Sequence, residues 1–135
     1  MTRYVLGFAF DEAGDRVVLI QKTKPAWQAG KYNGVGGKVE ENETMIDAMV
    51  REFYEETGVE TAINDWREYA FMVGPDWSCA VYCLGDGLIV DAVKTTTEEK
   101  IEVFSTKALP NTISNVPWLI AMAKDSDRFH AQINY

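Results

Sequence analysis

The sequence predicts one α/β (α+β) domain spanning residues 1–135, and three observations point there. Apolar and polar residues alternate in several short runs, which reads as strands. Residues 44–57 carry a helical apolar stripe instead, and Asn115-Val-Pro117 reads as the start of a final helix. One helix amid strands, followed by a terminal helix, is a sandwich pattern, and 135 residues can bury a real core.

Along the chain, Arg3–Phe10 and Arg16–Thr23 read as strands joined by the turn Asp11-Glu-Ala-Gly14-Asp15. Lys24–Tyr32 is a loop rich in turn formers that carries Trp27, and Gly34–Glu40 is a glycine-rich approach to the helix. Strands are expected near Trp66–Val73, Trp77–Leu84 and Leu88–Val93, separated by Gly74-Pro75 and Gly85-Asp86-Gly87, and again at Ile101–Phe104. There is no repeat, low-complexity run or linker.

The first helix carries the chemistry. At about 100° per residue, Glu52, Glu55 and Glu56 fall within an arc of roughly 100°, while Ile46, Val50, Phe53 and Thr57 form the apolar stripe beside them. Carboxylates at these spacings repel, by about 0.2–0.5 kcal/mol per pair in isolated helices. They also stand near a helix C-terminus, ended by Gly58, where the dipole disfavours negative charge. Arg51 is the only cation on the helix. Clustered carboxylate oxygens that accept these penalties suit Mg²⁺ or Mn²⁺. The plain alternative for a glutamate-rich helix is a solvated acidic face.

The wider spacing weighs against that alternative. Gly37, five residues, Glu43, seven residues, then Arg51-Glu52-Phe53-Tyr-Glu55-Glu56-Thr-Gly58-Val59 match a nine-position pattern throughout. The segment resembles the Nudix box, the signature of the Nudix hydrolase superfamily. The resemblance implies an α/β/α sandwich with a mixed sheet between helices, and divalent-metal hydrolysis of a nucleoside diphosphate linked to another moiety. It implies Glu52, Glu55 and Glu56 as metal ligands with the Gly37 carbonyl, and Glu52 also as catalytic base. Arg51 orients the glutamates with Glu43 as its ion-pair partner, and Lys38 neutralises a phosphate oxygen. Glu98, in a Thr-Thr-Glu-Glu-Lys loop, matches a further ligand or base of MutT-type members; the Glu98–Glu99 pair reads equally as solvated charge.

Two features bear on substrate. Tyr32-Asn33-Gly-Val-Gly-Gly37-Lys38 is similar to the run in animal enzymes that sanitise oxidised purine nucleotides, where the matching asparagine contacts the base. Asn33 is a candidate base reader, or a turn asparagine before glycine. In MutT-type enzymes the final helix opens with a similar Asn-x-Pro whose asparagine bonds the purine, so Asn115 is a second candidate, or an N-cap. An amide pairs donor and acceptor with a base edge. Trp118, Trp27 and Trp77 are candidate stacking residues, or rim and core packing.

The remaining composition narrows the class. A net charge of −8 argues against an extended nucleic-acid partner, which needs cationic surface, though not against a small nucleotide. Two cysteines, Cys79 and Cys83, are too few for a disulfide framework and read as core thiols. The lone His130 reads as a surface residue. Met1-Thr2-Arg3 leads straight into a strand, and no apolar run suits a membrane. The expectation is a cytoplasmic monomer or homodimer that uses Mg²⁺ (or Mn²⁺) to convert a nucleoside triphosphate, such as 8-oxo-dGTP, to monophosphate and pyrophosphate. ADP-ribose or another nucleoside-diphosphate derivative is the alternative substrate, and a nucleotide-sensing module without hydrolysis the alternative class. Removal of RNA caps fits the acidic charge poorly.

Overall fold

The computed structural model describes residues 1–135. Strand β1 (Thr2–Phe10) turns into β2 (Arg16–Gln21), followed by a short 3-10 turn at Ala26–Gln28, β3 (Tyr32–Asn33) and β4 (Val35–Lys38). Helix α1 (Met45–Thr57) leads through a second 3-10 turn to β5 (Arg67–Val73) and β6 (Trp77–Gly85). Then come α2 (Gly87–Ala92), β7 (Ile101–Ser105), α3 (Val116–Ala123) and β8 (Ala131–Asn134).

All eight strands join one mixed sheet. β1 runs parallel to β6 along its whole length, and β8 runs parallel to β5; the other pairs are antiparallel. β1 meets β2 only at Phe10–Val17, and from Gly7 back to Tyr4 the same edge is taken by β4. The two strands therefore splay, and the glycine-rich approach to α1 fills the fork as a strand.

The alternation of side chains makes the layers. Val5 and Ala9 of β1, Val18 and Ile20 of β2, and Ala80, Tyr82 and Leu84 of β6 share one core with Ala48, Met49 and Phe53 of α1 and Val90 of α2. Their neighbours Leu6, Phe8, Phe10, Val17, Leu19, Cys79, Val81 and Cys83 face a second core with Val116, Leu119 and Ile120 of α3. A sheet covered on both faces needs apolar residues at successive positions, which is why β1, β2 and β6 read as near-continuous hydrophobic runs. Tyr69 links the layers, its hydroxyl donating to the Leu119 carbonyl at 2.9 Å.

α1 is bounded as its ends predict. Thr44 caps it by accepting from the Asp47 N–H at 3.2 Å, and Gly58 ends it in the left-handed region at φ 76°. Its buried face is Ala48, Met49, Phe53 and Thr57, with Ile46 and Val50 only partly covered. The stripe is thus rotated toward the carboxylates, and this half-buries Glu52 and Glu56.

Two segments depart from the sequence reading. Leu88–Val93 is expected as a strand, but Gly87–Ala92 is helix. The Asp86 carboxylate caps it by accepting from the Leu88 and Ile89 N–H groups, at 2.9 and 3.4 Å, and this outweighs the strand preference of Leu-Ile-Val. Only Val90 is buried, while Leu88 is 81% exposed. The second departure is β8, not anticipated, whose short alternation extends the sheet beside β5.

At the fork, Gly36 leaves no room for a side chain: a Cβ there would stand 2.0 Å from the Val5 carbonyl oxygen. At Gly7 the obstacle is the end of the flexible Met49 side chain, at 2.6 Å. Gly36→Ala is expected to cost about 1–3 kcal/mol by overpacking against backbone, and Gly7→Ala less, because Met49 can repack. Thermal unfolding followed by circular dichroism checks this; equal midpoints for the two variants would show that backbone contact at the fork is not limiting.

Candidate active site

The carboxylate face of α1 is organised by Arg51. Its Nε and Nη2 donate to the two oxygens of Glu43 at 2.8 and 3.0 Å, a bidentate fork. Nη1 donates to Glu52 Oε1 at 2.8 Å and reaches Glu55 Oε2 at 3.4 Å. Nη2 also donates to the Lys38 carbonyl at 3.0 Å, tying the helix to the end of β4. Glu43 in turn accepts from the Glu40 N–H at 3.0 Å, closing the loop between β4 and α1.

One cation does not balance this many carboxylates. The Glu43 carboxyl is held below its ordinary range, chiefly by its bond to Arg51. Glu52 is pushed up, first by burial and further by Glu55 and Glu43, despite the Arg51 bond. Glu56 is also pushed up, first by burial and then by Glu52 and Glu99. Two half-buried carboxylates that repel one another, with their cation already shared, are short of positive charge.

Gly37 faces this cluster directly. A Cβ at Gly37 would lie 2.5–2.6 Å from the carboxylate carbon and both oxygens of Glu52, so the glycine backbone and this carboxylate are packed against each other. Glu52, Glu55, Glu56 and the Gly37 carbonyl are hard oxygen donors of the kind that hold Mg²⁺ or Mn²⁺. No three acidic, histidine or cysteine side chains are drawn together as a closed metal-binding group; Arg51 holds Glu52 and Glu55 to itself, and the Thr97 hydroxyl donates to Glu56 at 3.4 Å.

The loop before β7 wraps the C-terminal end of α1, and the carboxylate it turns inward is Glu99. Glu98, the residue expected there, is exposed. Glu99 is buried and accepts from the Thr23 N–H at 2.7 Å and from Lys22 Nζ at 3.2 Å. Burial raises its carboxyl, but the Thr23 N–H and the Lys22 ammonium together outweigh this and hold it below the ordinary range. Nothing in a Thr-Thr-Glu-Glu-Lys run tells which glutamate faces inward. The other sign available, the Lys22-Thr23 pair at the end of a strand, is too generic to have found the contact.

Gly36, Gly37 and Lys22 also line a cleft of about 540 Å³. Asn33, Asn115, Trp27 and Trp77 line the same cleft, together with Met72 and Cys79. The two asparagines, distant in sequence, thus share one cavity with two of the three candidate stacking tryptophans. Asn33 lies in β3, and its Oδ1 accepts from the Gly34 N–H at 2.8 Å. Asn115 occupies the N-cap position of α3, but its side chain makes no cap bond. Its Oδ1 is buried without a hydrogen-bond partner. Trp27 stands at the rim, 64% exposed. Trp118 is 39% exposed on α3 and does not line the cleft. The Lys38 side chain is exposed, with its backbone held by Arg51.

Cys79 and Cys83 are free and buried, and burial pushes the Cys79 thiol up to about 12, which leaves it inert. His130 is on the surface, paired with Glu68 at 2.6 Å. No helix is long and apolar enough to cross a membrane.

A family model described as the NUDIX domain matches residues 1–119. Among curated proteins, the CTP pyrophosphohydrolase of Escherichia coli (strain K12) is 36% identical over 58 residues, 43% of this chain and 43% of that protein. The oxidized purine nucleoside triphosphate hydrolase of Mus musculus is 48% identical over 42 residues, 31% of this chain and 27% of that protein. The matches therefore span less than half the length of these relatives. Among solved structures, the MutT protein of Bacillus halodurans superposes with a TM-score of 0.73 at 20% identity, covering 100% of this chain and 90% of that one. An ADP-ribose pyrophosphatase of Streptococcus suis superposes with a TM-score of 0.67 at 18% identity, covering 98% of each. At these identities the likeness is one of fold.

Removing Arg51 strips the Glu43 fork and leaves the half-buried Glu52 uncompensated. Arg51→Ala is expected to cost about 1–3 kcal/mol at neutral pH. Glu43 has its folded value depressed below the ordinary 4.5, so its share of stability is fully present above that value and lost as pH falls through the depressed one. The deficit of Arg51→Ala should therefore be largest near neutrality and shrink toward about pH 4. Urea unfolding at both pH values checks it, and an equal deficit at both would contradict the electrostatic account.

Proposed function

The chain belongs to the NUDIX family, and on that premise we propose that it is a divalent-metal-dependent pyrophosphohydrolase of nucleoside triphosphates. The observation that carries the reading is one cleft whose lining joins two chemistries. Gly37, packed against Glu52 of the Arg51-organised cluster, lines it together with two asparagines and two tryptophans. A nucleoside triphosphate needs both chemistries, and 540 Å³ suits a ligand of nucleotide size.

In this reading Glu52, Glu55, Glu56 and the Gly37 carbonyl hold Mg²⁺ or Mn²⁺. A divalent cation bound there lowers the pKa of the attacking water and draws charge from the phosphoryl oxygens. Glu52 accepts the water proton at a carboxylate oxygen, and its half-burial raises its basicity for that task. Arg51 and Glu43 keep that carboxylate beside Gly37. Lys38 follows the glycine turn and meets a phosphate oxygen. Water attacks a phosphorus of the α–β anhydride, the bond from that phosphorus to the bridging oxygen breaks, and nucleoside monophosphate and pyrophosphate form.

Asn33 and Asn115 read the base edge and Trp77 or Trp27 stacks on it. The buried, unpartnered Oδ1 of Asn115 favours this role, because a ligand N–H would satisfy it. Oxidised purine deoxynucleotides such as 8-oxo-dGTP are the proposed substrates, converted to 8-oxo-dGMP and pyrophosphate. Two free, buried thiols suit a reducing cytoplasm.

Pyrophosphate release from canonical and oxidised deoxynucleoside triphosphates, ADP-ribose and a dinucleotide tests the reading. With Mg²⁺, wild type should turn over a triphosphate, chelation should abolish turnover, and Glu52→Gln should lower kcat by about 10²–10⁴. Best turnover on ADP-ribose would move the substrate class. Binding without turnover of any member would make the protein a sensor.

A further inference from the structure

We propose that Tyr135, acting with the Met72 sulfur, fixes the polarity of the Asn115 amide and thereby sets which base edge the cleft accepts; the proposal rests on the nucleotide reading above. The two ends of an amide have nearly the same shape and opposite chemistry, so the neighbours decide which one faces a ligand. Here the neighbours are Met72 and Tyr135. Asn115 Nδ2 lies 3.8 Å from Met72 Sδ and 3.2 Å from the Tyr135 hydroxyl, and that hydroxyl lies 3.8 Å from the same sulfur. A thioether carries no proton and only accepts. The amide end turned to it is therefore the nitrogen, and the Tyr135 hydroxyl accepts from Nδ2 while donating its own proton to the sulfur. The flipped amide would set oxygen against sulfur, two acceptors.

The hydroxyl is itself held in place by the sheet. β8 runs parallel to β5, the Tyr135 N–H donates to the Val73 carbonyl at 2.9 Å, and the Tyr135 ring tilts 48° against Trp77 at a centroid distance of 5.3 Å. Trp77, Met72 and Asn115 all line the cleft, and Tyr135, 59% exposed and outside that lining, touches all three. The outcome is an Asn115 Oδ1 that is buried and has no donor. The cleft thus presents a fixed lone acceptor. It selects a base whose edge carries an N–H there and rejects one that presents a lone pair, because a buried unmade hydrogen bond discriminates more sharply than a made one. Tyr135 is a positioning residue: it acts through Asn115.

Steady-state kinetics on dGTP, 8-oxo-dGTP, dATP, dCTP and dTTP test this with wild type, Tyr135→Phe, Asn115→Ala and the double variant. Tyr135→Phe keeps the ring on Trp77 and should keep the unfolding midpoint within a few degrees. Its preference among bases, as a ratio of kcat/KM values, should fall about threefold to tenfold, the size of one neutral hydrogen bond, with the loss in KM. In the Asn115→Ala background Tyr135→Phe should change nothing further. An equal loss in both backgrounds, or an undiminished preference in Tyr135→Phe, overturns the positioning role while leaving the nucleotide reading intact. A wild-type preference that survives Asn115→Ala, or a wild type indifferent to base, overturns Asn115 as a base reader and the role of Tyr135 with it.

Discussion

A single guanidinium holds the acidic end of this molecule together. Arg51 spends its donors on Glu43, Glu52, Glu55 and the Lys38 carbonyl, so it spans the loop, the helix and the end of β4 at once. A lysine could not do this: a point charge on a flexible stem offers no planar fork for Glu43 while reaching two further carboxylates. Without that charge, the rotation of α1 that buries Ala48 and Met49 would carry Glu52 toward the core uncompensated. The packing of the helix and the electrostatics of its polar face are thus one problem with one solution.

The strands work in the same way on two sides. Because β1 forks from β2 after Phe10–Val17, β4 enters the sheet and brings Gly36 and Gly37 to the backbone of β1 and the carboxylate of Glu52. Glycine is required there by contact, not by backbone angle.

Much of this was legible in the residues, and the failures share a cause. The limits of α1 follow from Thr44 and Gly58, and most strands follow from short apolar runs bounded by turn residues, because both signals are local. Leu88–Val93 misleads because its apolar run is compatible with either state, and one cap at Asp86 decides it. β8 escapes notice because four residues of weak alternation mean little without the β5 edge that receives them. The apolar stripe of α1 is readable only to within about one position, since Met49 and Ile46 are equally apolar and the sheet chooses between them. Glu98 and Glu99 are indistinguishable in sequence, and what separates them is a tertiary contact with Lys22 and Thr23. Asn33 and Asn115 line one cavity, a juxtaposition that neither motif shows by itself, whereas Trp118 lies outside it, on a position of α3 half turned to solvent.

The carboxylate cluster and Asn115 are mounted on opposite faces of the sheet. The carboxylates ride on α1 and its core, while Asn115, Met72 and Tyr135 ride on the start of α3, β5 and β8 and the other core. Substitutions in well-separated places with no shared partners act nearly additively. A lineage with this layout can vary the surroundings of Asn115 with little effect on the packing of α1.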